Sequence, residues 1–413
     1  RKTFMQKLRR YCIIMGDESV YDRIPEFLRN TVYNNRGLSC KIRVEEGAKI
    51  TKRFVKILHA HINGRMRQEG MEILPESHRR ASLFDYFQLI LPLEGVIRQE
   101  SDRAYFRGEE QFRELRDASA EHYETYYRKV VYIIYCACYA FCDLSKRCLY
   151  TFTYNVKNDP LDRSNGECLK RQLVTVGTLP LDERYVKIHG ERRPVCLVGE
   201  VRHNSNVSTI EPAEVLLRRL GIPGAKPGEK VPVYIQQHAV ERIMKRAYCT
   251  FPGTVASLVF KAFSNRRRII PSGKNRYLIE CYYEDVKIGY FSAIYVDGIL
   301  VILTFLLVTH SGTPEGKKLE QLTGLQKSDH IYLAMDDLRS LANSDIIYDD
   351  DVRNLFIEAG CESLIELCRR VQFGFEYDWL WETETQSKDL SKMIREYIRL
   401  GANDEDYFVN DDS

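Results

Sequence analysis

No apolar run in this chain reaches the roughly 20 residues that a membrane-crossing helix needs. The longest, Val130 to Phe141 and Ile299 to Val308, read instead as a buried helix and a buried strand. Also missing are a Gly-rich phosphate loop followed by Lys-Ser/Thr, a Gly-x-Ser-x-Gly elbow and a His-Glu-x-x-His helix, which excludes classical nucleotide hydrolysis and zinc proteolysis. No Cys-x2-Cys pair occurs among the 12 cysteines. Cys136-Ala-Cys138 and Cys138-x3-Cys142 sit inside the aromatic run from Tyr132, so they read as small buried hydrophobes in a reducing compartment, with no metal site. His59 and His61, two apart on a helix, face different ways. No cofactor is implied. Nor is there an internal repeat or a low-complexity tract. The basic start, Arg1, Lys2, Lys7, Arg9 and Arg10, leads into neither a long apolar core nor a small-residue cleavage site. This reads as a cytoplasmic protein without a membrane partner, starting at Met5 or Met15.

What the chain has is core material. Its 413 residues are 44% hydrophobic and 11% aromatic, which predicts two to four domains. The net charge of +3 hides an asymmetry: residues 329–413 hold 8 Lys+Arg against 21 Asp+Glu, a balance of −13, which leaves +16 in residues 1–328. A basic body suits polyanions, and an acidic C-terminal module suits a protein partner or competes for the body's cations. Ordinary solvated surface is the alternative.

The pattern predicts an α+β fold in four parts. Residues 1–148 form a mainly helical region, in which Ile50, Phe54, Ile57, Leu58 and His61 follow the helical period. Residues 149–221 form a small β-rich region with strands Leu149 to Val156, Gln172 to Thr178, Tyr185 to His189 and Val195 to Arg202. A helix from Pro212 to Leu220 closes it at Gly221. After a Pro/Gly linker at 222–230, residues 228–325 make an α+β module with an antiparallel sheet. It runs strand Val231 to Gln236, helix His238 to Tyr248, a second helix through Val255, Leu258, Val259, Ala262 and Phe263, then strands Arg276 to Tyr283, Val286 to Val296 and Ile299 to Val308. Asp297-Gly298 is the hairpin turn before the last strand, which is expected at the sheet's centre. Thr313-Pro314 starts a helix that Gly324 stops. Residues 326–413 are an acidic helical module, its helices started by Asp336-Asp337 and Asp349-Asp350-Asp351 and ended by cations such as Arg369-Arg370, with a frayed tail from Gly401.

The most informative stretch is His238 to Arg246. At about 100° per residue, His238, Arg242, Lys245 and Arg246 share one helix face while Val240, Ile243, Met244 and Ala247 lie opposite. One face buries; the other offers an imidazole among three cations.

Strand, helix carrying His-x3-Arg-x3-Arg, second helix and meander together resemble the RelE/ParE toxin superfamily over residues 228–325, about a quarter of the chain. The resemblance implies a compact α+β module in a protein acting on RNA or nucleic-acid machinery, with RNA or single-stranded DNA as partner. Members differ in activity, and this chain is far larger than a simple toxin. If the module is a toxin-like effector that cleaves RNA without metal, His238 is the base or acid, and Arg242 and Arg246 clamp the phosphate. Lys245, Arg266, Arg267, Arg268, Lys274 and Arg276 then hold the backbone, with His310 as a second proton-transfer group. Against this stand a helix-terminal histidine, a solvated face with an ion pair to Glu241, and an arginine run placed by the dipole of the helix it ends. The alternative function is a non-catalytic interaction or scaffold protein that uses its acidic C-terminal helices.

Overall fold

The computed structural model describes residues 1–15, 18–74, 80–100, 103, 110–140, 144, 147–158, 170–204, 207–247, 252–283, 285–325, 328–329, 333, 335–372, 389–396 and 398. Its contacts divide the chain into two units, Arg1–Tyr139 with Tyr150–Thr178, and Ala140–Leu149 with Leu179–Ser413.

In the first unit, α1 (Lys2–Met15), α2 (Glu18–Arg23) and α3 (Glu26–Asn34) precede β1 (Gly37–Val44). Thr51 starts α4 (Lys52–Gln68), its Oγ1 accepting the Phe54 N–H at 3.2 Å. The helix buries Leu58, Ile62 and Met66, one stripe at intervals of four. Ile57 is exposed, because only one of two adjacent apolar positions, about 100° apart, can centre that stripe. A hairpin, β2 (Gly70–Glu72) and β3 (Arg80–Ser82), leads into α5 (Leu83–Asp85), a π-turn at Tyr86–Ile90 and α6 (Leu91–Glu100). Then α7 (Glu110–Ala140) buries Val130, Ile134, Ala137 and Cys138. Cys142 lies outside the described residues, and the nine described cysteines are free thiols. β4 (Cys148–Asn158) and β5 (Lys170–Pro180) pair with β1 in the order β1-β5-β4, where β1 runs parallel to β5 with Ile42 opposite Val174. The N-terminal region is therefore not helical alone. Its strand is completed by a partner about 130 residues away in sequence, which local pattern does not reveal.

The second unit is organised by a mixed sheet. Its strands are β6 (Glu183–Ile188), β7 (Glu191–Leu197), the separate hairpin β8 (Gly199–Asn204) and β9 (Val207–Pro212), β10 (Glu214–Leu216), and β11 (Lys230–Ile235). After α8 (Gln237–Arg246) and α9 (Pro252–Ser264) come β12 (Ile269–Gly273), β13 (Arg276–Tyr283), β14 (Val286–Val296) and β15 (Ile299–Leu307). The order is β12-β13-β14-β15-β11-β7-β6, with β10 beside β11. The meander is antiparallel, but β11 pairs parallel to β15, Tyr234 opposite Val301, so the sheet is mixed rather than antiparallel. α8 and α9 carry the chain from β11 to the edge strand β12, and the meander β12–β15 then returns it so that β15 runs in the same direction as β11.

Two further expectations are corrected. The helix expected over Pro212 to Leu220 is β10 followed by one 3₁₀ turn, Leu217–Leu220, ended by Gly221 at φ 67°. Pairing of Glu214–Leu216 with Lys230–Pro232 outweighs the helix-start signal of proline. The strands of 149–221 do not form one sheet either: β4 and β5 complete the sheet of β1, β6 and β7 extend the sheet of 228–325, and β8 and β9 pair with each other.

β15 sits in the middle, and Ile299, Val301 and Ile302 are at most 2% exposed. On one face lies α8, which buries Ala239, Val240 and Ile243. On the other, Val186 and Ile188 of β6 and Val195 of β7 form one core with Tyr234, Ile299 and Val301, and Ile294 and Val296 pack against it. The sheet therefore curls upon itself. Asp297 (φ 49°) and Gly298 (φ 74°) make the tight turn into β15, both in the left-handed region.

The C-terminal helices complete this unit. Thr313 caps α10 (Pro314–Thr323), accepting the Gly316 N–H at 2.9 Å, and Gly324 stops it at φ 71°. Asp337 and Asp349 cap α11 (Leu338–Ala342) and α12 (Asp350–Glu358) by accepting the Ser340 and Val352 N–H groups. α13 (Glu362–Gln372) packs on β14, where Ser363 Oγ donates to the Lys287 carbonyl at 3.1 Å. The acidic residues 326–413 are thus no separate module in their described part. Their buried stripe of Leu364, Leu367 and Cys368 needs the sheet as cover.

Two glycines test this packing. A Cβ on Gly289 would run into the Leu306 carbonyl and the Phe305 ring, whereas one on Gly64, inside α4, meets nothing. Gly289→Ala is expected to cost about 1–3 kcal/mol by overpacking. Gly64→Ala should stabilise by about 0.5–1 kcal/mol through helix propensity. Urea unfolding curves of the two variants read both signs.

Candidate nucleic-acid interface

The apolar half of α8 settles where its cations go. With Val240, Ile243 and Ala247 buried against the sheet, His238 and Lys245 are exposed and Arg242 and Arg246 half-buried. His238 stands in the first turn, and Arg242 Nε approaches its Nε2 at 3.4 Å. Arg246 has other partners. Its Nη1 donates to the Phe305 carbonyl at 2.6 Å, and its Nη2 pairs with Asp336 at 3.0 Å. Burial pushes the Arg246 pKa below its ordinary value, against the opposing pull of Asp336. A guanidinium tied to a carbonyl at the end of a core strand and to a carboxylate is a fastening of the fold, not a free phosphate clamp.

Arg276 is elsewhere. It opens β13 opposite Ile294, which lies opposite Val301, while Arg246 reaches Phe305. The two are separated by on the order of 13 Å along the strands, at about 3.3 Å per residue. Arg276 Nη2 instead meets the His189 ring at 3.1 Å. His310 holds its own turn, its Nδ1 accepting the Gly312 N–H at 2.9 Å. The structure therefore joins His238 to Arg242, gives Arg246 to Asp336, and places Arg276 with a different group. Among the described residues no carboxylate orients His238, so the base, clamp and acid of a metal-independent ribonuclease are not assembled on α8.

The remaining predicted cations gather along β12, the edge strand. Arg266 and Arg268 stand exposed at its start and Lys274 and Arg276 at its end. The 3₁₀ turn brings Arg218 and Arg219 to the same start, where Arg219 donates to the Arg267 carbonyl. Burial, and then the charge of Arg266, push the Arg219 pKa down. Arg267 lies over the Tyr282 ring, 3.9 Å from its centroid. Among the described residues no carboxylate pairs with Arg218, Arg266, Arg268 or Lys274. At the far end, the Arg276–His189 contact joins the β6–β7 hairpin, which carries exposed Tyr185 under Arg192 at 4.9 Å.

Sequence reading missed Arg218, Arg219, Tyr185 and His189. The adjacent arginines just before Gly221 were a signal, obscured by the expected helix; the contribution of Tyr185 and His189 depends on sheet curling and left no local trace. No described helix is long and apolar enough to cross a membrane, and no cluster of potential metal ligands occurs among the described residues. No protein-family model, curated protein or solved structure matches this chain.

The ion pair at the end of α8 makes a measurable claim. Arg246→Ala leaves Asp336 half-buried and the Phe305 carbonyl without its donor, at a cost of about 3 kcal/mol. Asp336→Asn should cost less, because Arg246 keeps the carbonyl. A double-mutant cycle by urea denaturation should give a coupling above about 0.5 kcal/mol; additive effects would mean that the pair contributes nothing.

Proposed function

We propose that this chain binds single-stranded nucleic acid, RNA or single-stranded DNA, along the β12 edge of its second unit, and that it does so as a binding protein rather than a nuclease. One observation carries the reading: exposed Arg218, Arg266, Arg268 and Lys274 gather at the ends of β12, and among the described residues none of the four has a carboxylate partner. Uncompensated like charge is unfavourable unless a polyanion covers it, and a phosphate backbone supplies that charge. Pro271, which has no N–H to offer an incoming strand, discourages pairing of this edge with another sheet. Exposed Tyr185, backed by Arg192, offers a stacking surface of the kind that suits unpaired bases. The order strand, two helices and meander over residues 230–307 supports the RelE/ParE resemblance as a proposal about this module's origin. The loss of Arg246 to Asp336 argues against carrying ribonuclease chemistry over with it.

The test is a salt titration of binding to a fluorescently labelled single-stranded RNA. Arg266→Glu with Arg268→Glu should weaken binding at least tenfold. It should also flatten the dependence of log K on log salt by about 1.4, from about 0.7 per phosphate contact on a single strand. Arg242→Ala, on α8, should leave the slope unchanged. An unaltered slope in the β12 variant, or RNA cleavage abolished by His238→Ala, would overturn the proposal.

A further inference from the structure

The first unit holds a cavity that none of the sequence motifs touches. It has a volume of about 630 Å³, within the range of small-ligand sites. Ala118, His122, Thr125 and Lys129 line it from α7, four residues at spacings of four, three and four that fall on one helix face. Met71, Glu72 and Leu74 on and beyond β2, Arg80 of β3, and Glu121 complete the lining.

Behind it lies a buried polar relay. Glu94 of α6 is 1% exposed, and both its oxygens are engaged: the Tyr86 hydroxyl donates to Oε2 at 2.8 Å, and His122 Nδ1 lies 3.0 Å from Oε1. Tyr86 is the first residue of the π-turn, a rare element frequently found at functional sites. His122, held through Nδ1 by a buried carboxylate, is thus a cavity-lining imidazole of fixed orientation.

Two cations complete the cavity. Lys129 Nζ donates to the Gly70 carbonyl at 2.9 Å and Arg80 Nη2 to the same oxygen at 3.4 Å, so the two charged heads converge. Among the described residues neither has a carboxylate partner. Glu72 and Glu121, the acidic members of the lining, are exposed, whereas Lys129 is half-buried and therefore the less screened charge. A half-buried ammonium whose partner among the described residues is a neutral carbonyl suits an anion.

We propose that this cavity binds a small phosphate ester, its phosphoryl group seated between Lys129 and Arg80 and its hydroxyl-bearing organic part against His122 and Thr125. The two cations supply charge-assisted donors, the fixed imidazole and the Thr125 hydroxyl recognise hydroxyl groups, and Met71, Leu74 and Ala118 give the apolar wall. This site belongs to the first unit and does not depend on nucleic-acid binding by the second.

The experiment is calorimetric titration of the full chain with ribose 5-phosphate, ribose and gluconate. Ribose 5-phosphate should bind at least tenfold more tightly than either of the others. Lys129→Gln and Arg80→Gln should each weaken it at least tenfold, and Lys129→Arg should restore most of the loss. Arg80 is exposed, so its variant tests the site without disturbing buried packing. Arg266→Glu with Arg268→Glu should leave the titration unchanged, which separates this site from the β12 strip. Absence of binding at millimolar ribose 5-phosphate, equal binding of gluconate, or full binding by Arg80→Gln would overturn the proposal.

Discussion

Burying β15 on both faces is the constraint from which the second unit follows. Ile299 to Leu307 offers water almost nothing polar, and a strand of that kind is stable only at the centre of a covered sheet. One cover is α8; the other is the β6–β7 end of the sheet, whose Val186, Ile188 and Val195 share one core with Val301. A hydrophobic demand made by one strand thereby places a hairpin from more than a hundred residues earlier beside β13, and the His189–Arg276 contact follows.

That same demand separates cations that look equivalent on a helical wheel. Arg246 lies where α8 meets the end of β15, and the half-buried setting obliges it to find a carbonyl and a carboxylate. Arg242, one turn earlier, remains beside His238, and Lys245 stays exposed. The acidic C-terminal segment contributes to this division: Asp336 is taken by α8, Asp337 and Asp349 by their own helix ends. These described charges serve the fold locally, and among the described residues none of them pairs with Arg266, Arg268 or Lys274, which is why that edge and not α8 carries the nucleic-acid proposal.

In the first unit the corresponding principle is satisfaction of a buried charge. Burial raises the Glu94 carboxyl pKa, against the lowering effect of the donors His122 and Tyr86. Those two donors come from different elements, a π-turn 8 residues before Glu94 and a helix position 28 residues after it, so the carboxylate fixes their mutual geometry and the orientation of the imidazole in the cavity. Lys129, two turns along α7 from His122, donates instead to the Gly70 carbonyl, and among the described residues it has no carboxylate partner.

Periodicity and turn chemistry in the sequence determined the local elements of residues 228–325. The apolar halves of α8 and α9, the Asp297-Gly298 turn, the Thr313 cap and the central place of β15 all follow from spacings of a few residues. β1 was legible too, since Leu38, Cys40, Ile42 and Val44 alternate with Ser39, Lys41 and Arg43, but helical neighbours concealed it. Only the tertiary structure decided that β11 runs parallel to β15, that 149–221 divides among three sheets, that Arg246 belongs to Asp336, and that Glu94 reaches His122. The reason is one of range. A helix face or a turn is set by atoms within a few residues, whereas the partner of a strand or a buried charge is chosen by whichever distant segment removes it from water at the least cost.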